Sequence, residues 1–151
     1  MTPGRRTLRY ESFDEVMPDV ERLLAGHRTV GSWSLARICN HLAAVLRRHV
    51  DLPASAVFDP GDRVSEEQKR LVFETGVLPE GIGAPPGVVA EAVGGEREEA
   101  EGLRAAMAYY RASPGPAIPH RILGPLTREE WDRFELIHLA HHLSFAVPTA
   151  G

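Results

Sequence analysis

The stretch TREEWDRFELIHLAHHLSF, residues 127–145, decides the fold. It opens on Thr127 with Glu130 three positions later, a reciprocal pattern in which a hydroxyl and a carboxylate satisfy the first free N–H groups of a helix. Trp131, Phe134, His138, His141, His142 and Phe145 then recur at three-and-four spacing, which predicts a helix with one apolar, imidazole-bearing side.

Working outward, the same period recurs three times in longer segments. Glu96 to Ala112 is acidic at its start, as a helix dipole favours, and repeats Ala100, Leu103, Met107 and Tyr110. Ser34 caps a helix carrying Leu35, Ile38, Leu42, Val45 and Leu46 on one face and ending before Pro53. Ser12 to Glu15 reads as another capping box ahead of Val16, Met17, Val20, Leu23 and Leu24, with Gly26 as its stop. Pro18 falls early in that helix, so a kink or a later start is expected there. Ser65 to Gln68 opens a shorter helix with a weaker stripe, Leu71 and Val72. Glycine and proline cluster between Gly76 and Gly95 and again between Ser113 and Pro125, which marks loops. No segment shows sustained period-two alternation, so no strand is expected.

Four amphipathic helices with one stripe each bury those stripes best together, so the expectation is an all-α four-helix bundle. The link from Asp51 to Gly95 is 45 residues, longer than antiparallel neighbours need, which predicts a crossover connection carrying the short extra helix.

The chain has 151 residues, the size of a single domain spanning 1–151, and 43% hydrophobic with 25% charged residues is the balance of a soluble globular protein. A net charge of −4 argues against nucleic acid as the partner, because phosphate binding needs a basic excess. Cys39 is the single cysteine, so no internal disulfide forms, which suits a cytoplasmic location. Met1 to Tyr10 lacks the apolar core of a signal peptide. The longest stretch free of Asp, Glu, Lys and Arg, Leu136 to Gly151, is too short and polar to span a membrane.

Three of the seven histidines crowd into the last helix. Positions four apart differ by about 40° around a helix axis, so His138 and His142 can aim at one ion; His138 and His141, three apart, can do so too. His138 shares a face with Trp131, Phe134 and Phe145 and so points inward, where an imidazole needs a partner. A third ligand has to come from another helix: His41 is the best candidate and His49, two turns on, competes with it. Cys39 is turned about 200° from His41 and falls outside such a site. His27 and His49 otherwise read as surface or margin residues, and Trp33 and Trp131 as packing anchors. Glu135, three residues before His138, reads either as an orienting group or as a solvated charge.

Several of these features occur together in one known superfamily. The run Trp33-Ser34-Leu35 to Asn40-His41-Leu42-Ala43 resembles the start of the second helix in the DinB/YfiT-like superfamily, and His138 to Leu143 resembles its H-x-x-x-H on the last helix. With His120, Gly124-Pro125-Leu126 and Glu130-Trp131, the pattern is similar to a subfamily labelled only as a domain of unknown function, over about Arg6 to Phe145. The resemblance implies an up-down-down-up bundle and a divalent ion (nickel, zinc or iron) on His41, His138 and His142, with frequent formation of a homodimer. Characterised relatives include transferases that use a low-molecular-weight thiol such as mycothiol or bacillithiol, and others read as hydrolases. No position matches a thiol-binding residue, so the reaction is not inherited with the metal.

Three neutral nitrogen ligands leave an ion with open positions, as catalytic sites require. The expectation is a metal-dependent enzyme acting on a small-molecule substrate, either a thiol S-transferase or a hydrolase, with His141 or His120 as the nearby catalytic base. The alternative is a non-catalytic metal-binding or dimerisation module.

Overall fold

The computed structural model describes residues 2–78, 84–85 and 87–149. They are mostly helical, with five α-helices and a small two-stranded sheet. The helices are α1 (Val16–Ala25), α2 (Leu35–Asp51), α3 (Glu66–Thr75), α4 (Glu96–Ala112) and α5 (Arg128–Leu143); the strands are β1 (His27–Thr29) and β2 (Ala146–Pro148). Part of the Gly/Pro-rich stretch, residues 79–83 and 86, lies outside the described residues.

Local chemistry sets the helix ends. Ser34, Ser65 and Thr127 each accept a hydrogen bond from a first-turn backbone N–H, from Arg37, Gln68 and Glu130 in turn. Pro18 produces a later start rather than a kink. A 3₁₀ turn over Phe13–Glu15 precedes α1, so Pro18 sits in the first α turn, where its missing N–H has no intrahelical partner to lose. Gly26 ends α1 through its N–H to Leu23 O, as expected.

The sheet is the one element the periodicity did not announce. Its strands are three residues each and pair antiparallel, His27 with Pro148 and Thr29 with Ala146. Strands that short carry no period to read; pairing between segments more than a hundred residues apart is a tertiary event.

α1, α2, α4 and α5 all contribute to one core, through Val20 and Leu23, Leu35 and Leu42, Leu103 and Tyr110, and Leu139 and Leu143. The long connection between α2 and α4 carries α3, which touches the start of α5 through Lys69 Nζ to Pro125 O and Arg133 Nη2 to Phe73 O. Tyr110, the last residue of the α4 stripe, is fully buried with its hydroxyl donating to Asp132 at 2.8 Å, while Tyr109 beside it is exposed.

One correction concerns the face of α5. The stripe of Trp131, Phe134 and His138 points inward as expected, with Trp131 and Phe134 buried, but it lies outside the cluster that joins the four helices. Leu139, Ala140 and Leu143 belong to that cluster, with Leu136 packed against them, while Phe134, His138 and His142 face an internal cavity. Aromatic cavity walls and a packed core have the same sequence pattern, because both exclude water with the same side chains.

The N-terminal segment is fastened to this frame by a charged cluster. Arg6 makes two hydrogen bonds to the buried Asp19 carboxylate, at 2.9 and 3.0 Å, and a third to Leu143 O; Tyr10 adds its hydroxyl to Asp19 at 2.5 Å. Burial alone would raise the Asp19 pKa, but the hydrogen bonds from Arg6, Tyr10 and Arg22 and the Arg6 charge hold it below the ordinary value.

Candidate metal centre

A cavity of about 360 Å³ lies between α2, α5 and the loops that cover them. Six of the seven histidines, His41, His49, His120, His138, His141 and His142, line this one cavity. His27 does not. Its Nδ1 lies 2.9 Å from Leu23 O and its Nε2 3.1 Å from Glu96, outside the cavity.

His41, His138 and His142 come together. Each offers one ring nitrogen such that the three atoms lie within 4.8 Å of one another, a spacing one ion can bridge. His142, not His141, is therefore the residue on α5 that joins His138. The i,i+4 pair projects from one helix face, and His41 meets it from α2 with ring centroids 5.5 and 4.6 Å away.

The surroundings fix each ring. Nδ1 of His41 donates to Val88 O at 2.7 Å, which sets the tautomer and leaves Nε2 for the site. Trp33 stacks on His142, with centroids 5.4 Å apart and planes 9° from parallel, and Phe134 stacks on His138 at 5.9 Å and 12°. Trp33 is thus part of the site wall and not only a packing anchor.

Electrostatics keep all three imidazoles neutral, the form in which they can ligate. Burial lowers the His41 pKa against the opposing effect of the Val88 hydrogen bond. Burial, reinforced by the charges of neighbouring histidines, takes His138 well below its ordinary value, and burial with the charges of His41, His141 and Arg5 takes His142 to about 2. Cys39 is fully buried in the core, where burial and the charges of Glu99 and Glu96 push its thiol up to about 12.

His120 and His141 have fixed tautomers of the other kind. The loop carrying His120 closes through two backbone hydrogen bonds with Gly124, 2.8 and 2.9 Å. Gly124 has φ +79, and a Cβ there would stand 3.2 Å from the Arg63 guanidinium, so a side chain would be strained and glycine is favoured. Within that turn His120 Nδ1 accepts the N–H groups of Ile122 and Leu123, both at 3.1 Å. His141 Nδ1 accepts from Arg5 Nη2 at 2.9 Å. A guanidinium or amide N–H can only donate, so in both rings the hydrogen is on Nε2.

This arrangement predicts an acid-sensitive turn. Burial, with the charges of His49 and Arg121, holds His120 well below its ordinary pKa. The folded chain therefore binds fewer protons than the unfolded one below about pH 6.5, and stability falls as pH drops, by up to about 1.4 kcal/mol per pH unit for one such group. Urea unfolding between about pH 7 and pH 5 should show this slope. His120→Asn, which keeps an acceptor for the turn, should lower the slope by about that amount.

Sequence reasoning missed the remaining pair. Glu135 is fully buried, and the Nδ1–H of His49 donates to its Oε1 across from α2. The surface alternative that the sequence left open for each is therefore set aside: Glu135 is an orienting group, with His49 as the ring it orients. The available signal was that His41, Val45 and His49 stand at successive four-residue steps on α2, so that all three line the cavity.

Among the described residues no helix is long and apolar enough to cross a membrane. No curated protein and no solved structure matches the chain. A family model does match it, over residues 3–54 and 77–149, and both segments carry the cavity histidines. The chain belongs to the family described as a protein of unknown function (DUF1569).

Proposed function

We propose that this protein is a metal-dependent hydrolase of small apolar molecules, built as a DinB-like four-helix bundle. The observation that carries the reading is the convergence of three neutral imidazoles, from two helices, on one point at the wall of a cavity. His41, His138 and His142 would hold a divalent ion such as nickel, zinc or iron, and nitrogen donors with one ring anchored on a carbonyl suit all three. Such an ion supplies Lewis acidity and lowers the pKa of a coordinated water.

The chain's own residues supply the rest. Val45, Ile118, Phe134 and Phe145 make the walls apolar and exclude bulk water from the bound substrate. His120, with its hydrogen on Nε2, is a donor toward a substrate oxygen; His141, tied to Arg5, holds the neighbouring wall. The size of the cavity favours water as the nucleophile. At about 360 Å³ it lies at the small end of ligand pockets, a size that suits one small molecule and a water.

The test is hydrolysis of a panel of esters of short apolar acids by protein loaded separately with zinc, nickel and ferrous iron. Metal-dependent turnover that disappears in His142→Ala supports the reading. Turnover that needs an added thiol would assign the protein to S-transfer instead. Tight metal binding without turnover under either condition would make it a binding module.

A further inference from the structure

Of the non-ligand histidines in the cavity, two have their Nδ1 lone pair already occupied, by backbone N–H groups at His120 and by Arg5 at His141. Both carry their hydrogen on Nε2 and cannot accept a proton without losing those bonds. His49 is arranged the opposite way. Its Nδ1–H donates to Glu135, which leaves the Nε2 lone pair without a hydrogen-bond partner among the described residues, on a ring that lines the cavity.

Glu135 gives this arrangement its force. The carboxylate is fully buried, and its second oxygen, Oε2, has no hydrogen-bond partner among the described residues. A buried acceptor left unsatisfied is destabilising, and more so when it carries charge. Such a group stabilises a positive charge on the ring it touches, and Trp131, packed on His49 at 4.9 Å, keeps water from screening the pair.

We propose that His49 is the proton acceptor of this cavity and that Glu135 is the residue that positions and polarises it. The chemistry rests on the hydrolytic reading above. As the oxygen of water bonds to the substrate carbonyl carbon, its proton passes to His49 Nε2, and the imidazolium pairs with Glu135. As the ester C–O bond breaks, the same proton passes to the departing alkoxide oxygen, and neutral His49 is restored. Water and ester give acid and alcohol, with no other reactant.

The experiment is carbethoxylation of the zinc-loaded chain with diethyl pyrocarbonate, which acylates unprotonated imidazole nitrogens, with the sites mapped by peptide mass spectrometry. His49 should react at least about tenfold faster than His120 or His141, and Glu135→Gln should slow it by a similar factor with zinc content unchanged. Faster reaction of His120 or His141, no reaction at any of the three, or an unchanged rate in Glu135→Gln would overturn the proposal. Should that variant fail to fold, long-range proton–nitrogen spectra of the wild type decide the point. They should show His49 with its hydrogen on Nδ1 and His120 with its hydrogen on Nε2; the reverse at His49 overturns the proposal. In ester turnover His49→Gln should lower kcat by about a hundredfold with KM little changed. Labelling of His49 in a chain that holds no zinc would keep the pair and remove the metal reading.

Discussion

Purified with zinc in the medium, the wild-type chain should retain about one ion per molecule, and His138→Ala should retain none. His138 is one corner of the triangle of candidate ligands, with its ring centroid 5.5 Å from His41 and 4.7 Å from His142. Its removal leaves two donors from different helices and an open gap beside Phe134. Loss of even an outer partner of a metal ligand costs about 10–100-fold in affinity, so loss of the ligand should exceed about a hundredfold. Zinc at a thousand times its dissociation constant should stabilise the wild type by about 4 kcal/mol, a rise in Tm on the order of 10 °C. The variant should show neither, by elemental analysis or by thermal unfolding. His141→Ala is the control: its Nδ1 faces Arg5, so the zinc content should stay at the wild-type level.

The largest effect on stability is expected far from the cavity, at Asp19→Ala. The Asp19 carboxylate accepts from Arg6, Tyr10 and Arg22, and its side chain is only 4% exposed against 15% for Arg6. Truncation leaves the mostly buried Arg6 guanidinium without its counter-charge while Arg6 Nε already lacks a partner. Removing one member of a buried ion pair costs about 3–5 kcal/mol, a Tm lower by on the order of 10 °C. Zinc binding at the other side of α5 should persist below the new transition. Arg9→Ala is the comparison, since its ion pair with Glu11 is exposed on both sides and its loss should cost at most about 1 kcal/mol.

Much of the candidate site was legible because helical spacing converts directly into geometry. His138 and His142 on one turn of α5, with His41 on a second helix, are the three residues that the structure brings within bridging distance. What spacing left open was the choice between His141 and His142, which are neighbours on the same helix. Rotation of α5 about its axis decides it, and that rotation is set by Leu139, Ala140 and Leu143 seating in the core. The pairing of His49 with Glu135 was not legible, although His49 was named as a competing ligand and Glu135 as either an orienting group or a solvated charge. Its members are 86 residues apart and come from different helices, and a carboxylate in a helix is ordinarily a solvated charge.

The helices, their caps and stops, the long connection with its short helix, and the residue types that bear chemistry are all readable along the chain. These are local properties, set by backbone hydrogen bonding and periodicity within a few residues. Folding settled which apolar stripe became core and which became cavity wall, how β1 found β2, and which nitrogen of each histidine holds its hydrogen. Those outcomes depend on partners distant in the chain: Val88 O for His41, the Arg5 guanidinium for His141 and Glu135 for His49. A proton's place on an imidazole follows from the group opposite it, and only folding puts that group there.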